Sequence, residues 1–281
     1  MNLTHQSDMN KALEFAAKYQ ICNAHTHIYP PKIADKAVVN IGRFYELEMD
    51  CEVGTSECLI KDGKAFGVEK YLVCSAATDP NQVESINRFV AGECSKHPEF
   101  LGFGTLHPDY EDIDAEVKRC MDSGLRGIKL HPDFQKFNID DEKAMSIYKA
   151  CQGKIPVLFH MGDARYDFSS PQRLAKVLNE FPQLDAFGAH LGGYSAWDKA
   201  DKFLHGFDHL YFDCSSSLAF MTPERACELI HGFGTDKIFF GTDFPMWNHL
   251  GEIIRFMELG LTDDENKAIL AGNFKKYFNI Q

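Results

Sequence analysis

Residues 21–30 read ICNAHTHIYP. In an extended chain, residues i and i+2 share a face. His25 and His27 therefore point the same way, about 7 Å apart along the strand. Two imidazoles at that separation can reach one ion, because metal–nitrogen bonds are about 2.0–2.1 Å long. The same pair also occurs as two ordinary histidines at a strand end, so its meaning depends on the rest of the chain. The run that carries it is the first of eight β-rich runs. The others are 69–76 (EKYLVCSA), 100–106 (FLGFGTL), 125–130 (LRGIKL), 155–160 (IPVLFH), 184–190 (LDAFGAH), 209–214 (HLYFDC) and 236–241 (DKIFFG).

Amphipathic stretches fit between these runs. In 112–123, Ile113, Val117, Cys120 and Met121 form a stripe of helical period, and Gly124 follows as a stop. In 171–181, Pro171 follows two serines, Leu174, Val177, Leu178 and Phe181 form the stripe, and Pro182 closes it. Each unit after residue 68 takes about 24–31 residues, the size of one βα repeat. LHPDY at 106–110 and LHPDF at 130–134 hold equivalent places in consecutive units. Such alternation gives an open doubly wound sheet or a closed barrel. No GxGxxG follows the first run, and the count of eight favours an α/β fold of the (β/α)8 TIM-barrel type. No linker is visible, so residues 1–281 are expected to be one domain. The connection at 28–68 is longer than the rest. Its first part reads as a loop or lid bearing Tyr29, Arg43, Phe44 and Tyr45, and its later part as a helix near 55–66.

The bulk properties exclude some functions. The formal charge of −12 argues against non-specific nucleic-acid binding and against adhesion to anionic membranes. No run is long and apolar enough to span a bilayer, and the first fifteen residues lack the apolar core of a signal peptide. The nine cysteines form no CxxC, and several sit in apolar runs; they read as reduced, buried thiols of a cytoplasmic protein.

Polar residues recur at the carboxyl ends of the β-rich runs: His25 and His27, Lys129 and His131, His160, His190 and Asp243. In a parallel barrel these ends lie on one face, where active sites are built. Each has an ordinary alternative. His160 and His190 could be hydrogen-bonded core histidines, Asp243 a helix cap, Lys129 a snorkelling surface lysine, and His131 a turn residue. Arg165 is either a solvated loop charge or a clamp for a substrate carboxylate. His5, His97, His205, His209, His231 and His249 read as surface or helix-end residues.

Five motifs occur in order: NAHTH at 23–27, GIKLHP at 127–132, LFH at 158–160, AHLGG at 189–193 and GTDFP at 241–245. With the closing stretch 261–278, this set resembles the amidohydrolase superfamily. Within it, the resemblance is to the amidohydrolase-2 branch that includes 2-amino-3-carboxymuconate-semialdehyde decarboxylase-like proteins. The resemblance covers nearly the whole chain. It implies a distorted (β/α)8 barrel with one or two divalent metal ions. For a mononuclear site, the preferred reading, it implies His25, His27, His160 and Asp243 as ligands, with His190 on the bound water or a substrate oxygen. For a two-metal site, it implies a carboxylated Lys129 bridging the ions, with His160 and His190 on the second. Zinc suits such a donor set, and manganese or iron could replace it. The expected reaction is hydrolysis of an amide, lactone or ester of a small molecule, with Asp243 handling the proton and His190 steadying the oxyanion. The alternative is metal-dependent decarboxylation with Arg165 or His131 anchoring the substrate, and the least favoured is a non-catalytic ligand-binding barrel. The resemblance also makes a homodimer the expected assembly.

Overall fold

The computed structural model describes residues 3–280, and for residues 3–5 the backbone alone, so the surface position expected of His5 lies outside the described residues. The elements run α1 (Leu3–Ala16), β1 (Ile21–His27), α2 (Ala34–Tyr45), α3 (Ser56–Lys64), β2 (Val68–Cys74), α4 (Val83–Lys96), β3 (Phe100–Gly102), β4 (Gly104–Thr105), α5 (Ile113–Asp122) and β5 (Ile128–Leu130). They continue with α6 (Pro132–Gln135), α7 (Glu142–Cys151), β6 (Val157–Phe159), α8 (Pro171–Glu180), β7 (Ala186–Gly188), α9 (Trp197–Phe203), β8 (Leu210–Asp213), α10 (Pro223–Phe233), β9 (Ile238–Phe239), α11 (His249–Glu258), α12 (Asp263–Lys267) and α13 (Asn273–Phe278). They fall into two compact units: Met1–Tyr71 with Cys214–Gln281, and Leu72–Asp213.

In the unit Leu72–Asp213, β4 to β8 pair in chain order, all parallel, with Thr105 opposite Lys129, Lys129 opposite Leu158, Leu158 opposite Phe187 and Phe187 opposite Tyr211. Parallel neighbours require a crossover, and the intervening helices supply it. Every residue of β5, β6 and β7 is buried, as befits a sheet covered on both faces. α5 buries Ile113, Val117 and Cys120 of the stripe read from the sequence but leaves its fourth member, Met121, exposed, and α8 buries Leu174, Val177 and Leu178. The Asp112 side chain caps α5 by accepting from the Ala115 N–H. The run 100–106 is divided at Phe103, whose N–H donates to Val73 while the next N–H, of Gly104, donates to Gly127. The chain changes pairing partner there, which turns one expected strand into β3 and β4.

In the other unit, β1 lies along the segment after β9. Ala24 N donates to Phe240 O at 2.8 Å, Asp243 N to His25 O at 2.8 Å and His27 N to Phe244 O at 2.7 Å. The HxH strand and the GTDFP segment are thus hydrogen-bonded neighbours. A side chain at Gly241 would press on His25 Cβ at 3.1 Å, so glycine permits this approach.

The connection 28–68 departs from its reading as a loop followed by a helix. Its first part holds α2, which buries Ala34, Val38, Gly42 and Tyr45 on one side. Gly42 belongs to that side because a Cβ there would meet Leu47 O at 2.9 Å. α3 matches the expected second helix and is capped by Thr55, which accepts from Cys58 N. Backbone bonds tie Asp50 N to Met246 O and Cys51 N to Pro245 O in the segment after Asp243, while Tyr29 N bonds to Gly54 O within the connection itself. All nine cysteines are free thiols, and five of them are buried. Among the described residues, no helix is long and apolar enough to cross a membrane.

Candidate functional site

The strand β1 and the loop after β9 bring three of the expected residues together. His25 Nε2 lies 3.6 Å and His27 Nε2 3.2 Å from Asp243 Oδ1. His25 is fully buried, and His27 and Asp243 are nearly so. Each imidazole nitrogen there either donates its N–H to the carboxylate oxygen or turns a lone pair toward a cation shared with it. Hydroxyls hold these groups from behind. Ser215 Oγ is 3.2 Å from His25 Nδ1. Ser216 Oγ donates to Asp243 Oδ2 at 2.6 Å and accepts from Trp247 Nε1 at 3.0 Å. A carboxylate can only accept, so the Ser216 hydroxyl gives it its proton and takes the indole N–H on a lone pair. Such outer partners orient a metal ligand and tune it. Asp243 and Ser216 both adopt left-handed backbone, φ 59° and 49°, a conformation that non-glycine residues keep only where their surroundings impose it.

A second cluster forms within the unit Leu72–Asp213. His160 directly follows β6, and His190 stands two residues past β7. His160 Nδ1 and His190 Nε2 are 3.0 Å apart, so one of them carries a proton that the other accepts. His190 is left-handed at φ 61°, and its loop is held by the Leu191 N–H bond to Asp213 O at 2.7 Å and by Trp197 Nε1, which donates to His190 O. His131 caps α6, accepting from Phe134 N through Nδ1. Its ring stacks between Phe134 and His160, with centroids 3.7 and 3.9 Å away. His131, Asp133 and His160 are all buried and their ligand atoms lie within 4.8 Å of one another. Burial pushes the Asp133 carboxyl up to about 6, against the lowering effect of its 2.5 Å bond from Ser169. Its Oδ1 has no hydrogen-bond partner.

Two further expected residues have a definite setting. Lys129 is fully buried in the middle of β5, which excludes the snorkelling alternative. Arg165 gives its Nε and a terminal nitrogen to Asp163, at 3.0 and 2.7 Å. The bidentate clamp is therefore closed on a carboxylate of the chain itself.

Of the other histidines, His249 heads α11, a helix end as expected, but in a buried setting. Its Nδ1 lies 2.6 Å from Asp62 Oδ2 and its Nε2 2.9 Å from Asn23 Nδ2. His205, His209 and His231 are surface residues, each paired with a carboxylate. Sequence reasoning missed Asn23, Asp133, Ser215, Ser216, Thr242 and His249. Asn23 could have been found, because it precedes His25 by two and shares its strand face. Ser215 stands two residues past β8, as His190 stands two residues past β7.

Comparison with known proteins gives the family and the fold. None of the curated proteins matches the chain. Several solved structures do. An uncharacterised TIM-barrel protein from Bordetella bronchiseptica is 19% identical with a TM-score of 0.75, covering 92% of this chain and 98% of that one. A dihydroxybenzoic acid decarboxylase from Polaromonas sp. JS666, with bound manganese and the inhibitor 2-nitroresorcinol, is 16% identical with a TM-score of 0.70, covering 93% and 97%. A candidate 2-pyrone-4,6-dicarboxylic acid hydrolase from Pseudomonas putida is 16% identical with a TM-score of 0.68, covering 92% and 97%. At these identities the likeness shows the fold, which is that of a TIM barrel. The family model described as amidohydrolase matches residues 23–280, a span that holds both clusters, and the chain therefore belongs to the amidohydrolase family, in its amidohydrolase-2 branch.

Proposed function

We propose that this protein is a metal-dependent enzyme that removes CO2 from a small carboxylated substrate. The observation that carries the reading is the convergence of His25 and His27 Nε2 on Asp243 Oδ1 in a buried setting. That donor set of nitrogen and oxygen fits a divalent cation. His25, His27 and Asp243 would hold it, with Ser215 and Ser216 fixing the ring and the carboxylate. Manganese is supported by the decarboxylase neighbour, and zinc and iron suit the same donors. When bound, the ion would polarise a substrate oxygen as a Lewis acid. The chain's own residues must then manage protons. Loss of CO2 breaks a carbon–carbon bond, and its electron pair is capped by a proton at the same carbon. His190, whose ring shares a hydrogen with His160, is assigned that transfer together with Asp243. Lys129 as a carboxylated bridge belongs to the two-metal version of this reading. Substrate anchoring falls to His131 and to the guanidinium N–H groups of Arg165 not given to Asp163.

Hydrolysis is the second reading, supported by the Pseudomonas putida neighbour of the same fold. The two are separated by supplying manganese or zinc and a panel of aromatic carboxylic acids, lactones and cyclic amides. CO2 release with a decarboxylated product is expected. Ring-opened acid without CO2 assigns hydrolysis instead, and neither product from metal-loaded protein contradicts both. The fourth expected ligand, His160, is tested by metal content. His160→Ala is expected to lose metal along with turnover, and a variant that keeps its metal leaves His160 a role in proton transfer alone. The small substrate, the cytoplasmic setting and a homodimer complete the proposal.

A further inference from the structure

Behind the HxH pair lies a polar chain running from half-buried Asp62 through buried His249 and Asn23 to Thr242. Asn23 and His249 are at most 1% exposed, and the four residues come from α3, the start of α11, β1 and the loop after β9. The hydrogen positions in this chain follow from its geometry. Asn23 Oδ1 faces two backbone N–H donors, of His25 at 3.2 Å and Thr242 at 3.1 Å. A flipped amide would set its NH2 group against both donors, so the oxygen must stand there. Asn23 Nδ2 then donates twice, to Thr242 Oγ1 at 2.8 Å and to His249 Nε2 at 2.9 Å. His249 Nε2 is thereby the acceptor, which places the ring proton on Nδ1, aimed at Asp62 Oδ2 2.6 Å away. The same carboxylate oxygen accepts the His249 backbone N–H at 2.9 Å. Thr242 Oγ1 also accepts from Phe244 N at 3.1 Å.

One amide thus joins the backbone of His25 to that of Thr242, the residue before Asp243. We propose that Asn23, held in one orientation by His249 and Asp62, is a positioning residue that fixes the spacing between the HxH strand and the Asp243 segment for cation binding. The inference rests on the metal-dependent reading and adds to it. It also gives the connection 28–68 a role other than cover, since α3 contributes Asp62. Apolar packing would fill this space without a chain of matched donors and acceptors. The polar chain does what apolar packing would not: it imposes a fixed distance between two ligand-bearing segments.

The test measures manganese and zinc affinity of purified variants by competition with a chelator, beside thermal melting of the metal-free proteins. His249→Leu breaks the chain, whereas His249→Gln keeps one acceptor for Asn23 and one donor for Asp62. Asn23→Ala and His249→Leu are expected to bind metal about 10–100-fold more weakly than wild type. His249→Gln is expected to recover most of that loss. A merely structural role would lower melting temperature and leave the affinity of the folded protein unchanged, and that result overturns the proposal. Equal affinity for His249→Leu and His249→Gln overturns it too, and the pair decides the matter even if Asn23→Ala fails to fold. Wild-type protein that binds no metal refutes the metal-dependent reading itself, an outcome distinct from wild-type binding that the variants do not change.

Discussion

The two buried clusters solve different problems with the same residue types. Around Asp243, both imidazoles face a carboxylate oxygen, and each group is held from behind by a hydroxyl or a backbone bond. Around His160, imidazole faces imidazole, a third ring stacks on top, and a carboxyl oxygen is left without a partner. The first arrangement gathers three metal-ligand atoms around one point, which suits a cation. The second shares a hydrogen between His160 and His190, which suits proton transfer or contact with a substrate beside the ligand role proposed for His160. The difference teaches that a histidine's function is set by what its second nitrogen touches.

The largest expected effect lies at the carboxylate. Asp243→Asn keeps the shape but removes the charge on which both rings converge. It should lower kcat/KM by about 10³-fold or more, combining the loss of a charged ligand with that of a proton carrier. Steady-state kinetics on metal-supplemented protein checks this, and near-normal turnover would erase the contrast between the clusters. A smaller effect is expected one step back. Ser216→Ala leaves Asp243 Oδ2 and the Trp247 N–H without their shared partner. Metal affinity should fall about 10–100-fold, with the fold intact by circular dichroism.

The smallest effect concerns stability alone. Glu252 on α11 is fully buried, and burial pushes its carboxyl up to about 8, with Asp243 and Asp50 adding to the rise and Arg255 opposing it. A carboxyl raised on folding binds its proton more tightly in the native state. Its contribution to stability is present at low pH and is lost as pH rises through about 8. Between pH 6 and 9 the wild type should therefore lose more melting temperature than Glu252→Gln, by roughly 2–4 °C for each kcal/mol involved. Parallel melting curves would show that Glu252 is not the group responsible.

Much of this was legible in the sequence, for identifiable reasons. All eight β-rich runs contain strands, because runs of Val, Leu, Phe and Ile bounded by turns leave little choice in a sheet covered on both sides. His25, His27 and Asp243 were found because they sit at strand ends, where a period of two and a fixed motif speak directly. The supporting residues were harder to see. The stripe His249, Glu252, Ile253 and Phe256 has helical spacing, yet two polar members hide it as a buried face. α2 escaped notice because Gly42 interrupts its apolar side, for a reason visible only in the fold: the close approach of Leu47. Arg165 offered a clamp in sequence, but only the structure shows it closed on Asp163. Tertiary partners of polar side chains leave no periodic trace, and that is where sequence reading stopped.

The account stands or falls on whether His25, His27 and Asp243 hold a cation. The direct measurement is metal stoichiometry after equilibrium dialysis against manganese or zinc, for wild type and for a His25→Ala, His27→Ala double variant. The account predicts about one tightly held ion per chain in the wild type, or two in the two-metal version, and loss of the ion at this site in the variant. A wild type without metal, or a variant that retains the full wild-type complement, would contradict it.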